Sequence, residues 1–78
     1  MTENSAQTFR TPTNGLTSRE VQVLKLLADG LSSRQVAEQL DISFKTATSH
    51  RNNILTKLGV HDTVLAVRWG IRSGLIEP

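Results

Sequence analysis

The chain has 78 residues, with nine Lys/Arg against seven Asp/Glu, a formal net charge of +2, no cysteine and 37% apolar residues. That suffices for one small domain and not for two, and it excludes a disulfide staple and a thiolate metal site. No apolar run approaches the roughly 20 residues of a membrane span, the first fifteen residues lack the apolar core of a secretory signal, and His50 and His61 stand apart from any carboxylate cluster, so a soluble cytoplasmic domain with no metal or cofactor is expected.

Residues 1–15 are rich in Thr, Asn, Ser, Gln and Gly and show no apolar period. They read as a disordered arm or linker, with residues 16–78 as the domain. From Leu16 the helix punctuation is dense. Thr17-Ser18-Arg19-Glu20 is a capping box flanked by Leu16 and Val21 at staple positions. It predicts a first helix from about Ser18 to Asp29 with Val21, Leu24, Leu27 and Ala28 on one apolar stripe, stopped by Gly30. The signal repeats at Ser32 and Gln35, predicting a short second helix over about Ser33 to Leu40 that buries Val36, Ala37 and Leu40. Asp41 tolerates a left-handed backbone and Ser43 is a good N-cap, so a third helix runs from about Phe44 to Leu58 and stops at Gly59. Asp62 caps a fourth helix, about Thr63 to Ser73, closed by Gly74. Only about three residues join the second and third helices, the spacing of a helix-turn-helix, and the first helix supplies a third wall to the core.

The third helix carries the chemistry. At 100° per residue, Ala47, Arg51, Ile54 and Leu58 share one side, while Lys45, Thr48, Ser49, Asn52 and Thr56 share the other. No Asp or Glu occurs from Phe44 to Leu58. Charge is skewed in the same sense: residues 1–44 hold four Lys/Arg and five Asp/Glu, a net −1, and residues 45–78 hold five and two, a net +3. A solvated face usually mixes both signs, whereas a face lying close to phosphates excludes acids and keeps short donors and acceptors. Periodicity alone leaves both readings open. Aromatics are too few for a single-strand stacking platform. His50 has no Ser, Asp or Glu at helical spacing that would make it a catalytic base, and four short helices leave little room for a substrate pocket. An enzyme is therefore the least favoured class.

The residues Leu16-Thr17-x-Arg19-Glu20, Val23-Leu24-x-Leu26-Leu27-Ala28-x-Gly30-Leu31-Ser32, Val36-Ala37-x-x-Leu40-x-Ile42-Ser43-x-x-Thr46, His50-Arg51-x-x-Ile54-x-x-Lys57-Leu58-Gly59-Val60, Ala66, Trp69 and Gly74-Leu75-Ile76 resemble the LuxR-type (GerE, NarL/FixJ-type) DNA-binding domain, over about 61 of the 78 residues. The resemblance implies an all-α four-helix bundle with a central helix-turn-helix, found in response regulator effector domains. It implies a homodimer that binds double-stranded promoter DNA and regulates transcription, with the third helix in the major groove, and it makes RNA polymerase a candidate partner. Carried over position by position, Thr48, Ser49 and Asn52 face base edges, with Lys45 and Thr56 nearby. Ser33, Arg34, Ser43, Thr46, His50, Arg51 and Lys57 are the phosphate contacts, those at helix starts because free N–H groups point outward there. On the fourth helix Ala66, Trp69 and Gly70 are assigned to the core. The second stripe, Val64, Val67 and Ile71 with Arg68 beside it, is read as the surface of an isologous dimer.

Departures from the family pattern carry their own expectations. The family usually has Thr-Val-Lys-x-His where this chain has Thr46-Ala47-Thr48-Ser49-His50, and a basic residue is common at Asn52. Weaker non-specific affinity, a shallower salt dependence and neutral hydrogen-bond readout follow, with Asn52 favouring adenine. Gln22 stands in for a common glutamate at little consequence, and Leu65 widens the apolar patch of the fourth helix. In the family such a domain follows a receiver or ligand-binding domain. The chain reads as a stand-alone regulator or as the C-terminal part of a longer one, with residues 1–15 as linker and no small-molecule ligand in this domain. Two other readings remain. A region-four-like helix-turn-helix of a sigma factor shares the Leu-x-x-Arg-Glu start but is opposed by Lys57-Leu58-Gly59-Val60 and by the fourth helix. A protein-interaction module would pair with a related regulator through the fourth helix and modulate it without strong DNA binding of its own.

Overall fold

The computed structural model describes residues 15–77, so the expected arm lies outside the described residues but for Gly15. Four helices follow in order: α1 (Ser18–Ala28), α2 (Ser33–Leu40), α3 (Phe44–Leu58) and α4 (Thr63–Arg72). No strand occurs among the described residues. The all-α architecture with a helix-turn-helix is as expected, and the helix ends fall within one residue of their predicted places.

Local chemistry explains each boundary. Thr17 Oγ1 accepts from the Glu20 amide at 3.1 Å and Glu20 Oε1 accepts from the Thr17 amide at 2.9 Å. The Ser32–Gln35 box repeats this at 3.2 and 2.8 Å. Ser43 and Asp62 cap α3 and α4 by accepting from the Thr46 and Leu65 amides at 3.0 Å each. At the far ends the first three helices close alike. Leu31 donates to the Leu26 carbonyl, Ile42 to Ala37 and Val60 to Leu55, each across a left-handed residue, respectively Gly30, Asp41 and Gly59. This six-to-one bond satisfies carbonyls that the helix leaves open and turns the chain sharply. Asp41 does it at φ 57°, the one non-glycine residue with positive φ among the described residues.

α1 and α3 form the centre, and α2 and α4 each pack against both without touching one another. The core joins Leu16, Val23, Leu24, Val36, Ala37, Ala47, Ile54, Ala66, Leu75 and Ile76. The α1 stripe differs from the sequence expectation. Glu20, Val23 and Leu24 are its buried residues, whereas Val21, Leu27 and Ala28 are half-buried. α1 contacts three other helices, so its buried face is broad and centred nearer Glu20–Leu24 than the Val21 edge. Leu40 is likewise half-buried. After α4 the chain folds back, and the Ile76 amide donates to the Gly70 carbonyl at 3.0 Å. A Cβ on Gly70 would lie 2.5 Å from Ile76 Cδ1, so the glycine makes room for that return.

Glu20 is the one buried charged residue among the described residues, 4% exposed. Its Oε1 takes both the Thr17 amide and the Lys57 ammonium, the latter at 2.8 Å. One carboxylate thus joins the first turn of α1 to the last turn of α3. Burial pushes this carboxyl up, but the bonds from Lys57 and the Thr17 amide outweigh it and hold the group below its ordinary value of 4.5. The folded state therefore binds fewer protons than the unfolded chain. The stabilisation is in full force above about pH 4.5 and is lost as the pH falls through the lower, folded value. Glu20→Gln keeps the capping geometry, as Gln35 demonstrates in α2, and removes only the charge. It is expected to cost about 1–3 kcal/mol at pH 7. Urea unfolding across pH should show the gap between the two proteins closing below pH 4.5; a pH-independent gap would refute the assignment.

Candidate nucleic-acid interface

The buried side of α3 is set by Ala47 and Ile54, each 1% exposed. The opposite side presents Lys45, Ser49, Asn52, Asn53 and Thr56, all exposed. These are the polar positions expected from periodicity, with one exception. Thr48 is half-buried, and its Oγ1 is buried without a hydrogen-bond partner. The hydroxyl that sequence reasoning offered to a base edge is turned away from the outward face.

The expected phosphate-contacting residues divide into two groups. Around the helix-turn-helix, Arg34, Ser43 and Thr46 are exposed and Ser33 and His50 half-buried. Ser43 Oγ donates to Thr46 Oγ1 at 2.9 Å while accepting from the Thr46 amide. The Arg34 guanidinium lies over the Phe44 ring, 4.8 Å from its centroid. This stacking spans the turn between α2 and α3 and restricts a long cationic side chain at an exposed site. The second group is engaged within the protein. Lys57 holds Glu20. Arg51 Nε donates to Thr63 Oγ1 at 3.1 Å, bridging α3 to the start of α4, and Arg51 Nη1 donates to Asn52 Oδ1 at 3.1 Å.

The last contact bears on the chemistry expected of Asn52. A bidentate pair with adenine uses the amide oxygen as acceptor and the NH2 as donor. Here Oδ1 already accepts from Arg51 Nη1, so one of its two lone pairs is engaged and the other remains for a base. Sequence reasoning missed Phe44, Thr63 and Glu20 as members of this network. Thr63 is twelve residues from Arg51 and Glu20 thirty-seven from Lys57, so no local spacing signals them.

α4 shows two faces. Ala66 and Gly70 are buried and Trp69 half-buried against the core. Val64 is 65% and Ile71 40% exposed, with Arg68 exposed and Val67 half-buried between them. Leu65, 36% exposed, flanks this strip. No helix among the described residues is long and apolar enough to cross a membrane.

Residues 14–70 match the family described as bacterial regulatory proteins, luxR family. The chain belongs to the luxR family. It is a LuxR-type helix-turn-helix domain, the DNA-binding unit of transcription regulators. It is 44% identical over 69 residues to the transcriptional regulatory protein DegU of Brevibacillus brevis, covering 88% of this chain and 29% of that protein. It is 46% identical over 68 residues to the fimbriae Z protein of Salmonella typhimurium, covering 81% and 32%. The chain thus spans about a third of the length of the curated relatives it matches. Among solved structures, the transcription factor GerE superposes with a TM-score of 0.74 at 35% identity, covering 80% of this chain and 92% of GerE. The response regulator ChrA of a heme-sensing two-component system gives 0.75 at 36% identity, covering 92% of this chain and 37% of ChrA.

The Arg51 bridge is separable from the core of this LuxR-type domain. Thr63→Val deprives Arg51 Nε of its acceptor and is expected to lower the unfolding free energy by about 0.5–1.5 kcal/mol. Thr63→Ser keeps the hydroxyl and should stay within about 0.5 kcal/mol of the parent. Equal losses in the two variants, measured by chemical denaturation, would show that the threonine methyl and not the bond matters.

Proposed function

We propose that this chain binds double-stranded promoter DNA sequence-specifically, with α3 in the major groove, and regulates transcription as an isologous homodimer paired through α4. The observation that carries the reading is the outward face of α3. The helix is fifteen residues long and free of Asp and Glu, and this face exposes hydrogen-bonding side chains opposite a buried apolar side. Acids are excluded where phosphates approach, and Ser, Asn and Lys are residue types that read base edges.

In this reading Ser49, Asn52, Lys45 and Thr56 face the bases. Arg34, Ser43 and Thr46, with Ser33 and His50 behind them, meet the phosphates flanking the groove. Arg51 and Lys57 support the recognition helix from within and reach a phosphate only by sharing their present partners. Val64, Val67, Arg68 and Ile71 meet their counterparts across the two-fold axis, and RNA polymerase is a candidate for contact when both sit on a promoter. The exposed strip on α4 also supports a second reading, in which the chain pairs with a related regulator and modulates it with little DNA binding of its own.

Fluorescence anisotropy of the chain against random duplexes, titrated with salt and followed by sequencing of the bound fraction, separates these. Enrichment of a two-fold-symmetric site, with affinity falling as salt rises, is the expected result. No binding at low salt would favour the second reading. On the enriched site, Asn52→Ala should relax preference at one base pair by about 1–3 kcal/mol; a uniform weakening across all sequences would make Asn52 a backbone contact. Val64→Asp should leave the fold intact, since the residue is 65% exposed, and weaken the symmetric complex by placing like charges together at the axis.

A further inference from the structure

Thr48 lies one helical turn from Lys45 and from Asn52, in the middle of the outward face of α3, and it is half-exposed. A threonine carries two groups on Cβ, a hydroxyl and a methyl. The hydroxyl oxygen is buried and has no hydrogen-bond partner. The exposed part of the side chain is therefore its methyl. A buried hydroxyl without a partner is unfavourable, and the structure nevertheless places the oxygen inside. Its neighbours on that face, Lys45, Ser49 and Asn52, are polar, so Thr48 forms a single apolar spot in a hydrogen-bonding surface.

We infer that Thr48 is a specificity residue that recognises thymine through apolar contact between its methyl and the 5-methyl of the base. The inference rests on the proposed placement of α3 in the major groove. Of the four bases only thymine presents a methyl there, and a threonine methyl is among the apolar groups that meet it. The hydroxyl has no part in base reading. This differs from the hydrogen-bonded readout that residue type alone suggests for the position.

The test uses the duplex enriched by the wild-type chain. Each thymine is replaced in turn by deoxyuridine, symmetrically in both half-sites, which deletes the methyl and keeps every hydrogen-bonding group. One position is expected to lose about fourfold affinity per half-site, the worth of one methyl removed from contact. That loss should vanish in Thr48→Ser, which keeps a hydroxyl and lacks the methyl, and persist in Thr48→Val, which has the methyl and lacks the hydroxyl. Thr48→Val should also bind the thymine duplex as the parent does and melt at the same temperature or higher. A deoxyuridine penalty that is equal in the parent and in Thr48→Ser overturns the inference, as does loss of binding in a folded Thr48→Val. Duplex binding with no deoxyuridine effect at any position overturns the inference alone. No duplex binding by the parent overturns the groove placement and the inference with it.

Discussion

Glu20 brings its carboxylate into the junction of α1 and α3, where the Thr17 amide and the Lys57 ammonium both donate to one oxygen. A buried carboxylate is costly unless its hydrogen bonds are made, so both donors must be present once the core closes around it. The Thr17 bond sets the first turn of α1. The Lys57 bond fixes the last turn of α3 against it, thirty-seven residues away. With that end held, and with Ala47 and Ile54 filling the core, α3 has little freedom to roll about its axis. The direction of Ser49, Asn52 and Thr56 follows from that restriction. In a chain this short the apolar core is small, and a charged tie between its two central helices contributes orientation as well as energy.

The polar residues of α3 consequently fall into two populations that composition does not distinguish. Lys57 and Arg51 are bonded to Glu20 and Thr63 and the hydroxyl of Thr48 is buried, while Lys45, Ser49, Asn53 and Thr56 are exposed without such a tie to another helix and Asn52 is exposed beside Arg51. Two of the three cations of α3 thus brace the bundle, and Lys45 is the cation its outward face presents. The proposed recognition surface would rely on neutral donors, acceptors and one methyl, with Arg34 held over Phe44 at the edge. Discrimination then depends on the fit of short side chains, which demands a rigid helix. The two cations bonded to neighbouring helices contribute to that rigidity.

What was legible in the sequence was what is local. A cap and its partner are three residues apart, so Thr17–Glu20, Ser32–Gln35 and Asp62 were readable, as were the stops at Gly30, Asp41 and Gly59. The three-residue turn disclosed the helix-turn-helix, and the acid-free run disclosed its exposed face. The stripe of α1 was misplaced by part of a turn, because a helix touching three others buries a wide arc and hydropathy treats Glu20 as a surface residue. The Arg51–Thr63 bridge, the Arg34–Phe44 stack and the Glu20–Lys57 pair join residues at least ten apart, and nothing in spacing marks them. The rotamer of Thr48 lies beyond sequence reasoning altogether: residue type names the hydroxyl and the methyl without saying which one faces out.

The same layout separates two surfaces on a small domain. α2 and α4 pack on α1 and α3 without meeting, so the first helix of the helix-turn-helix and the apolar strip of α4 lie on helices that do not touch. α3 is their common neighbour, and Arg51 connects it to the first residue of α4 while bonding to Asn52. Arg51 thus links the helix proposed to read the bases with the first residue of the helix proposed to pair the dimer, through bonds each worth only about 0.5–1.5 kcal/mol. A link of that size does not decide whether the domain folds.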